Sequence, residues 1–151
     1  MSSTESQGPG PGPAGWDPHA PGSELFVAIE RGDPEAVREL LAAGAEIEGR
    51  DPRSSFLDGT TPLIAAASMA HPDLVRLLLD HGAAVNARSA SGWTALMRTC
   101  NAGNLECARL LLDAGADAGV RNDEGYTALG RVPGNRTELV RLLREHGAPV
   151  V

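Results

Sequence analysis

From Ser23 onward, apolar residues recur at the three- and four-residue steps of a helix that faces a core on one side. Leu25, Ala28 and Ile29 predict a short first helix, with Ser23 placed as its cap. Val37, Leu40 and Leu41 predict a second. It is opened by Asp33-Pro34-Glu35, which supplies an N-cap acid, a proline at the first helical position and a carboxylate near the positive end of the helix dipole. Gly44 ends it, where a left-handed residue fits best. The same grammar returns from Thr61 to Gly82, with Thr61-Pro62 and His71-Pro72-Asp73 as helix starts and Leu74, Val75, Leu77, Leu78 and Leu79 as the buried face. It returns again from Thr94 to Gly115, with Cys107, Ala108, Leu110, Leu111 and Leu112 in the matching positions.

The alternation is periodic at the level of whole helix pairs. Gly-x-Thr-[Pro/Ala]-Leu occurs at Gly59–Leu63, Gly92–Leu96 and Gly125–Leu129, its glycines 33 residues apart both times (59 to 92, 92 to 125). A fixed period of this length predicts stacked supersecondary units, each burying its apolar face on its neighbours. Two breaks stand out. The Gly44-to-Gly82 interval is 38 residues, which predicts an enlarged loop over Arg50–Asp58. The Gly115-to-Gly147 interval is 32, and Gly130, Pro133 and Gly134 predict that the first helix of the last unit is short or distorted. Glu39 stands where Leu77 and Leu110 lie, and Arg144 where Leu79 and Leu112 lie, so the outermost units expose polar faces. Four units result, the first and last acting as caps.

Composition narrows the function classes. Only five residues are aromatic, so the core is built from Leu, Val and Ala, which suits thin stacked helices better than a deep pocket. All 13 basic residues are arginine, which excludes a lysine nucleophile. A net charge of −7 with no basic stripe argues against nucleic acid, whose binding rests on neutralised phosphates. No run of 18 apolar residues spans a membrane, and the N-terminus lacks the features of a signal peptide. Residues 1–22, rich in Pro and Gly, read as a disordered tail with Trp16 as its one large apolar group. His19, His71, His81 and His146 have no partners at metal-ligand spacing, and Cys100 and Cys107 read as buried structural thiols. No nucleophile elbow or phosphate loop is present. The expectation is a cytoplasmic, monomeric, non-enzymatic protein without cofactor or metal.

The motif, its period and its register together resemble the ankyrin repeat family. Asp58-Gly59-Thr60-Thr61-Pro62-Leu63-Ile64-Ala65-Ala66-Ala67 and Leu77-Leu78-Leu79-Asp80-His81-Gly82-Ala83-Ala84-Val85-Asn86-Ala87 carry the resemblance most fully. It covers roughly residues 23–149, as repeats near 23–52, 58–88, 91–121 and 124–149. One departure is uniform: the histidine that the family places after the motif leucine is Phe26, Ile64, Met97 and Gly130 in turn. The resemblance implies an all-α repeat solenoid in which each unit is a β-hairpin-like finger followed by two antiparallel helices. It further implies that the fingers and first helices line a concave face that binds a protein partner. Carried onto this chain, the family's variable positions and the aromatic and arginine residues near them give Met69, Arg88, Trp93, Asn101, Arg121 and Tyr126 as candidate contacts, with Phe56 and Leu57 of the enlarged loop as a second candidate. The functional expectation is an adaptor or inhibitor. The alternative is an accessory protein that stabilises or protects a neighbouring enzyme.

Overall fold

The computed structural model describes residues 22–52 and 59–148. These form seven α-helices, α1 (Glu24–Glu30), α2 (Pro34–Ala42), α3 (Pro62–Ser68), α4 (Pro72–Asp80), α5 (Ala95–Ala102), α6 (Leu105–Asp113) and α7 (Thr137–Glu145), with a 3-10 turn at Leu129–Arg131. Among the described residues there is no strand. Short connections fold α2 onto α1, α4 onto α3 and α6 onto α5, and the pairs then stack in chain order.

The helix starts follow from side-chain chemistry. Asp33 Oδ1 accepts from Ala36 N at 3.1 Å, and Asn104 Oδ1 accepts from Cys107 N at 2.9 Å. Thr61 Oγ1 accepts from Ile64 N at 3.3 Å, and Thr94 Oγ1 from Met97 N at 3.2 Å. Each bond satisfies a helix N–H that has no intrahelical partner. Ser23 differs from its expected role: it has helical backbone angles, and its side chain makes no cap bond to α1. His71 makes none to α4 either; its ring instead lies against Gly32 of the preceding repeat.

One continuous core runs the length of the stack, from Leu25 and Ile29 through Leu63, Leu78, Leu96 and Leu111 to Leu139 and Leu143. Burying a leucine this fully stabilises the fold by roughly 2 kcal/mol. The departures from the family histidine are absorbed here: Phe26, Ile64 and Met97 are fully buried, so apolar packing occupies the site of a polar side chain. Gly130 is exposed. Cys100 and Cys107 are buried free thiols. The polar ends are as expected, with Glu39 and Arg144 exposed where Leu77 and Leu112 are buried.

The row formed by α1, α3, α5 and the 3-10 turn is more intimately packed than the row formed by α2, α4, α6 and α7, although its helices are shorter. Alanines at 65, 66 and 67 let neighbouring backbones approach on that side. Closer packing along one row than along the other is the asymmetry that would bend such a stack with its first helices on the concave side. In the last repeat Leu129–Arg131 is all that remains of the first helix, and Val132 leaves it with an extended backbone just before Pro133. The 32-residue interval and its proline are thereby explained.

Candidate functional site

The fingers are loops closed across their bases by backbone bonds. Asp51 N donates to Thr60 O at 2.9 Å, Ser89 N to Trp93 O at 2.9 Å and Asn122 N to Tyr126 O at 3.0 Å. The first closure spans five more residues than the other two, which places the insertion inside the first finger. Phe56 and Leu57 lie outside the described residues. A buried polar residue shapes each remaining turn: Ser89 Oγ accepts from Trp93 N at 3.2 Å, and Asn122 Oδ1 accepts from Tyr126 N at 2.9 Å and from Glu124 N at 3.0 Å.

Arginines then tie finger to finger. Arg50 Nη1 donates to Gly59 O at 2.8 Å within its own finger and also to Arg88 O of the next. Arg88 Nη2 donates to Arg121 O at 2.8 Å, and Arg121 Nη1 donates to Gly125 O at 2.8 Å. The spacing is tight enough that Gly92, at φ +84°, has no room for a side chain: a Cβ there would sit 2.6 Å from Arg88 Nη2 and 3.1 Å from Asn122 Cα. Asp123 N donates across to Ser91 O at 2.9 Å. Arg88 and Arg121 are therefore committed in part to spacing the fingers, a role that their position in the sequence did not reveal.

The aromatic candidates meet a different arginine. Arg131, on the 3-10 turn, lies over the Tyr126 ring at 4.7 Å and over the Trp93 ring at 5.3 Å, and its Nη2 donates to Asn101 Oδ1 at 3.1 Å. Arg98, on α5, lies over the Trp93 ring at 4.2 Å. Trp93, Asn101 and Tyr126 are thus brought together, by two residues that the sequence reading passed over. The signal was available in register: Trp93 and Arg98 in the third repeat match Tyr126 and Arg131 in the fourth, both pairs being 33 residues apart. Thr60 and Ala65 hold those places in the second repeat, so the aromatic–arginine pair is confined to the last two. Each guanidinium–ring contact contributes about 0.5–1 kcal/mol at such exposure.

Trp93 is half-buried against the core, while Tyr126 is 42% exposed. Met69, at the C-cap of α3, is 43% exposed and lies one repeat before Ala102, which follows Asn101 at the end of α5. Around Arg131 the hydrogen bonding is incomplete: among the described residues its buried Nε has no hydrogen-bond partner.

Other features place no chemistry on this face. Burial pushes the Cys100 thiol up to about 12; burial and the neighbouring Glu106 carboxylate push Cys107 up to about 11. Among the described residues no group of three or more His, Cys, Asp or Glu is arranged to hold a metal ion. No described helix is long and apolar enough to cross a membrane. Two surface hollows lie at opposite ends of the stack, one lined by Val140, Arg141 and Arg144 of α7, the other by Leu25, Leu40 and Gly44.

Comparison with known proteins agrees with this architecture. The chain is 40% identical over 72 residues to mouse ankyrin repeat and SOCS box protein 16, an alignment covering 48% of this chain and 15% of that protein. It is 46% identical over 72 residues to the mouse B-cell lymphoma 3 protein homolog, with the same coverage of 48% and 15%. It is 34% identical over 87 residues to a glycerophosphocholine phosphodiesterase of Schizosaccharomyces pombe, covering 55% of this chain and 7% of that one. The chain thus spans only a small part of the length of these relatives. The family model for ankyrin repeats (3 copies) matches residues 25–122 and again residues 85–151. With that match spanning most of its length, and with helix pairs stacked at the 33-residue period behind glycine-turned fingers, the chain belongs to the ankyrin repeat family, whose repeats are generally protein–protein interaction modules.

Proposed function

We propose that this protein is a non-enzymatic adaptor or inhibitor that binds a protein partner on its concave face, around Trp93, Asn101, Tyr126 and Arg131, with Met69 at the margin. One observation carries the reading. Among the described residues the exposed large apolar side chains are Met69 and Tyr126, and both lie at finger or inner-helix positions of this face, not on the outer helices. Aromatic and arginine side chains grouped on a rigid support are the usual anchors of an interface, and here the arginine ladder and the buried finger turns hold that support. Arg88 and Arg121 contribute by positioning the fingers that present Trp93 and Tyr126.

The test is site-specific photo-crosslinking in the native host. A benzophenone side chain replacing Met69 or Tyr126 is expected to trap one discrete protein, and one replacing the exposed Arg109 of α6 is expected to trap none. Trp93→Ala combined with Tyr126→Ala should abolish the adduct formed from position 69 while leaving helicity unchanged. An adduct formed equally well from position 109 would overturn the assignment of the face.

A further inference from the structure

We propose that the concave face selects a partner segment rich in Asp and Glu, with Arg131 as the residue that receives a partner carboxylate. This deepens the reading above and rests on it, since it assumes that the face is the docking surface.

The distribution of charge carries the inference. The chain as a whole is acidic, with a net charge of −7. Its acids are concentrated on the outer row: Glu35 and Glu39 on α2, Asp73 and Asp80 on α4, Glu106 and Asp113 on α6, Glu138 and Glu145 on α7. The inner elements α3, α5 and the 3-10 turn contain no Asp or Glu, and they contain Arg98 and Arg131. Glu24 and Glu30 of the inner row are on α1, at the far end of the stack. The described fingers add Arg50, Arg88 and Arg121, against a buried Asp51 and the exposed Asp123 and Glu124. Asp123 points toward the space beside Gly92 that Arg88 also fills, so its charge is set against the finger ladder and not against Arg131. Over α3, α5, the 3-10 turn and the described fingers, five arginines therefore stand against three acids, so this part of the face is positive on a molecule that is negative.

Arg131 is built to use that sign. Its guanidinium is oriented by the Trp93 and Tyr126 rings and by the bond to Asn101. That leaves the outer end of the donor fork open: among the described residues no hydrogen bond engages Nη1, and Nη2 bonds Asn101 with one of its two hydrogens, whereas Nε is buried and faces inward. A planar cation already held by stacking and left short of acceptors is suited to a bidentate carboxylate, and little further ordering is lost when one arrives. The apolar edges of Tyr126 and Met69 provide contact area beside it. Polyanions of the phosphate type fit less well. Their affinity grows with the number of phosphates neutralised, and the acidic outer row repels a long strand that would extend beyond this short face.

The experiment is selection of a displayed random dodecapeptide library on the intact chain, at physiological salt. The expected pool has an Asp and Glu excess, despite the general repulsion of acidic peptides by an acidic protein. The excess should vanish on Arg131→Gln and persist on Arg141→Gln, a change on the exposed side of α7. Circular dichroism establishes that both variants are folded. If Arg131→Gln fails to fold, the wild-type protein still decides the matter: a selected peptide should bind about tenfold more weakly at 0.5 M than at 0.05 M salt, through screening. A pool without acidic excess, an excess indifferent to Arg131→Gln in the folded variant, or salt-independent binding would each overturn the proposal. A neutral pool that still requires Trp93 and Tyr126 would overturn the charge preference and leave the face standing, whereas a pool indifferent to both aromatics would remove the face as well. A single-stranded oligonucleotide that binds as tightly as the best peptide, and is lost with Arg131, would overturn the proposal in favour of nucleic acid.

Discussion

Ala70 stands in the left-handed region, at φ 54°, and it is the non-glycine residue that does so among the described residues. The equivalent places in the first and third repeats hold Gly32 at φ 65° and Gly103 at φ 73°. The turn between the two helices of each of the first three repeats thus has a positive φ, and in the second repeat a Cβ bears the strain. Left-handed geometry costs an L-residue about 1–2 kcal/mol relative to glycine. Replacing alanine by glycine gives back about 0.4–1 kcal/mol through the greater freedom of the unfolded chain. Ala70→Gly should therefore stabilise the protein by roughly 0.5–1 kcal/mol, a rise in Tm of about 2–5 °C for a chain of this size. The reverse change in the third repeat should cost more than the same strain. A Cβ at Gly103 meets Arg136 Nε at 3.1 Å and Cζ at 3.2 Å, so Gly103→Ala adds crowding and should destabilise by about 1–2 kcal/mol. Thermal and urea unfolding followed by circular dichroism measure both. A Tm for Ala70→Gly equal to or below that of the parent would refute the reasoning, since it would mean that the turn does not hold Ala70 in the left-handed region.

The buried thiols give a second expectation. With Cys100 pushed up to about 12 and Cys107 to about 11, both are thiols at pH 8, so a disulfide reagent should titrate neither in the native protein and both in guanidinium. Because these folded-state values lie above the ordinary thiol value of 9.0, the protein binds more protons folded than unfolded at alkaline pH, and stability should fall as pH rises above about 9. Thr94→Ala removes the acceptor for Met97 N and should cost about 1 kcal/mol in urea unfolding, with Thr94→Ser restoring most of it. Arg88→Ala removes the donor to Arg121 O; hydrogen exchange at the finger amides of Asn122 and Asp123 should accelerate while global stability falls by no more than about 1 kcal/mol.

The repeat architecture was legible because every local signal agreed with it. Caps at Asp33, Thr61 and Thr94, glycine stops at Gly44 and Gly115, and leucines at helical spacing all mark the same boundaries, and the structure places helices there. What the sequence hides is equally physical. Ser23 has the right residue type for a cap, but the chain enters α1 with helical angles, which residue type does not specify. In the candidate site, ranking residues by type picks out Trp93 and Tyr126 and passes over Arg98 and Arg131, which look like ordinary solvated positions on a helix. Only the register of successive repeats places each arginine beside an aromatic ring. Arg88 and Arg121 suit an interface by residue type; that each also donates to a backbone carbonyl leaves no trace in sequence.

The irregular last repeat and the candidate site have a common origin. Arg98 and Arg131 occupy the same place in their repeats, and Arg131 lies over the aromatic rings of both repeats. Arg98 is inside a regular helix, where the next turn of α5 continues beyond it. Arg131 is the last residue of a 3-10 turn that Val132 and Pro133 cut short, so no further turn of inner helix follows it. Its side chain reaches back over Tyr126 and Trp93 to Asn101, into the repeat before it. A full helix there would have continued the inner row. The residues that prevent one, Gly130, Pro133 and Gly134, end the row instead and leave a cation on the aromatic pair at the boundary. The deviation that looks like a weakened repeat in sequence is therefore what concentrates charge, aromatic surface and an unfilled donor fork in one place.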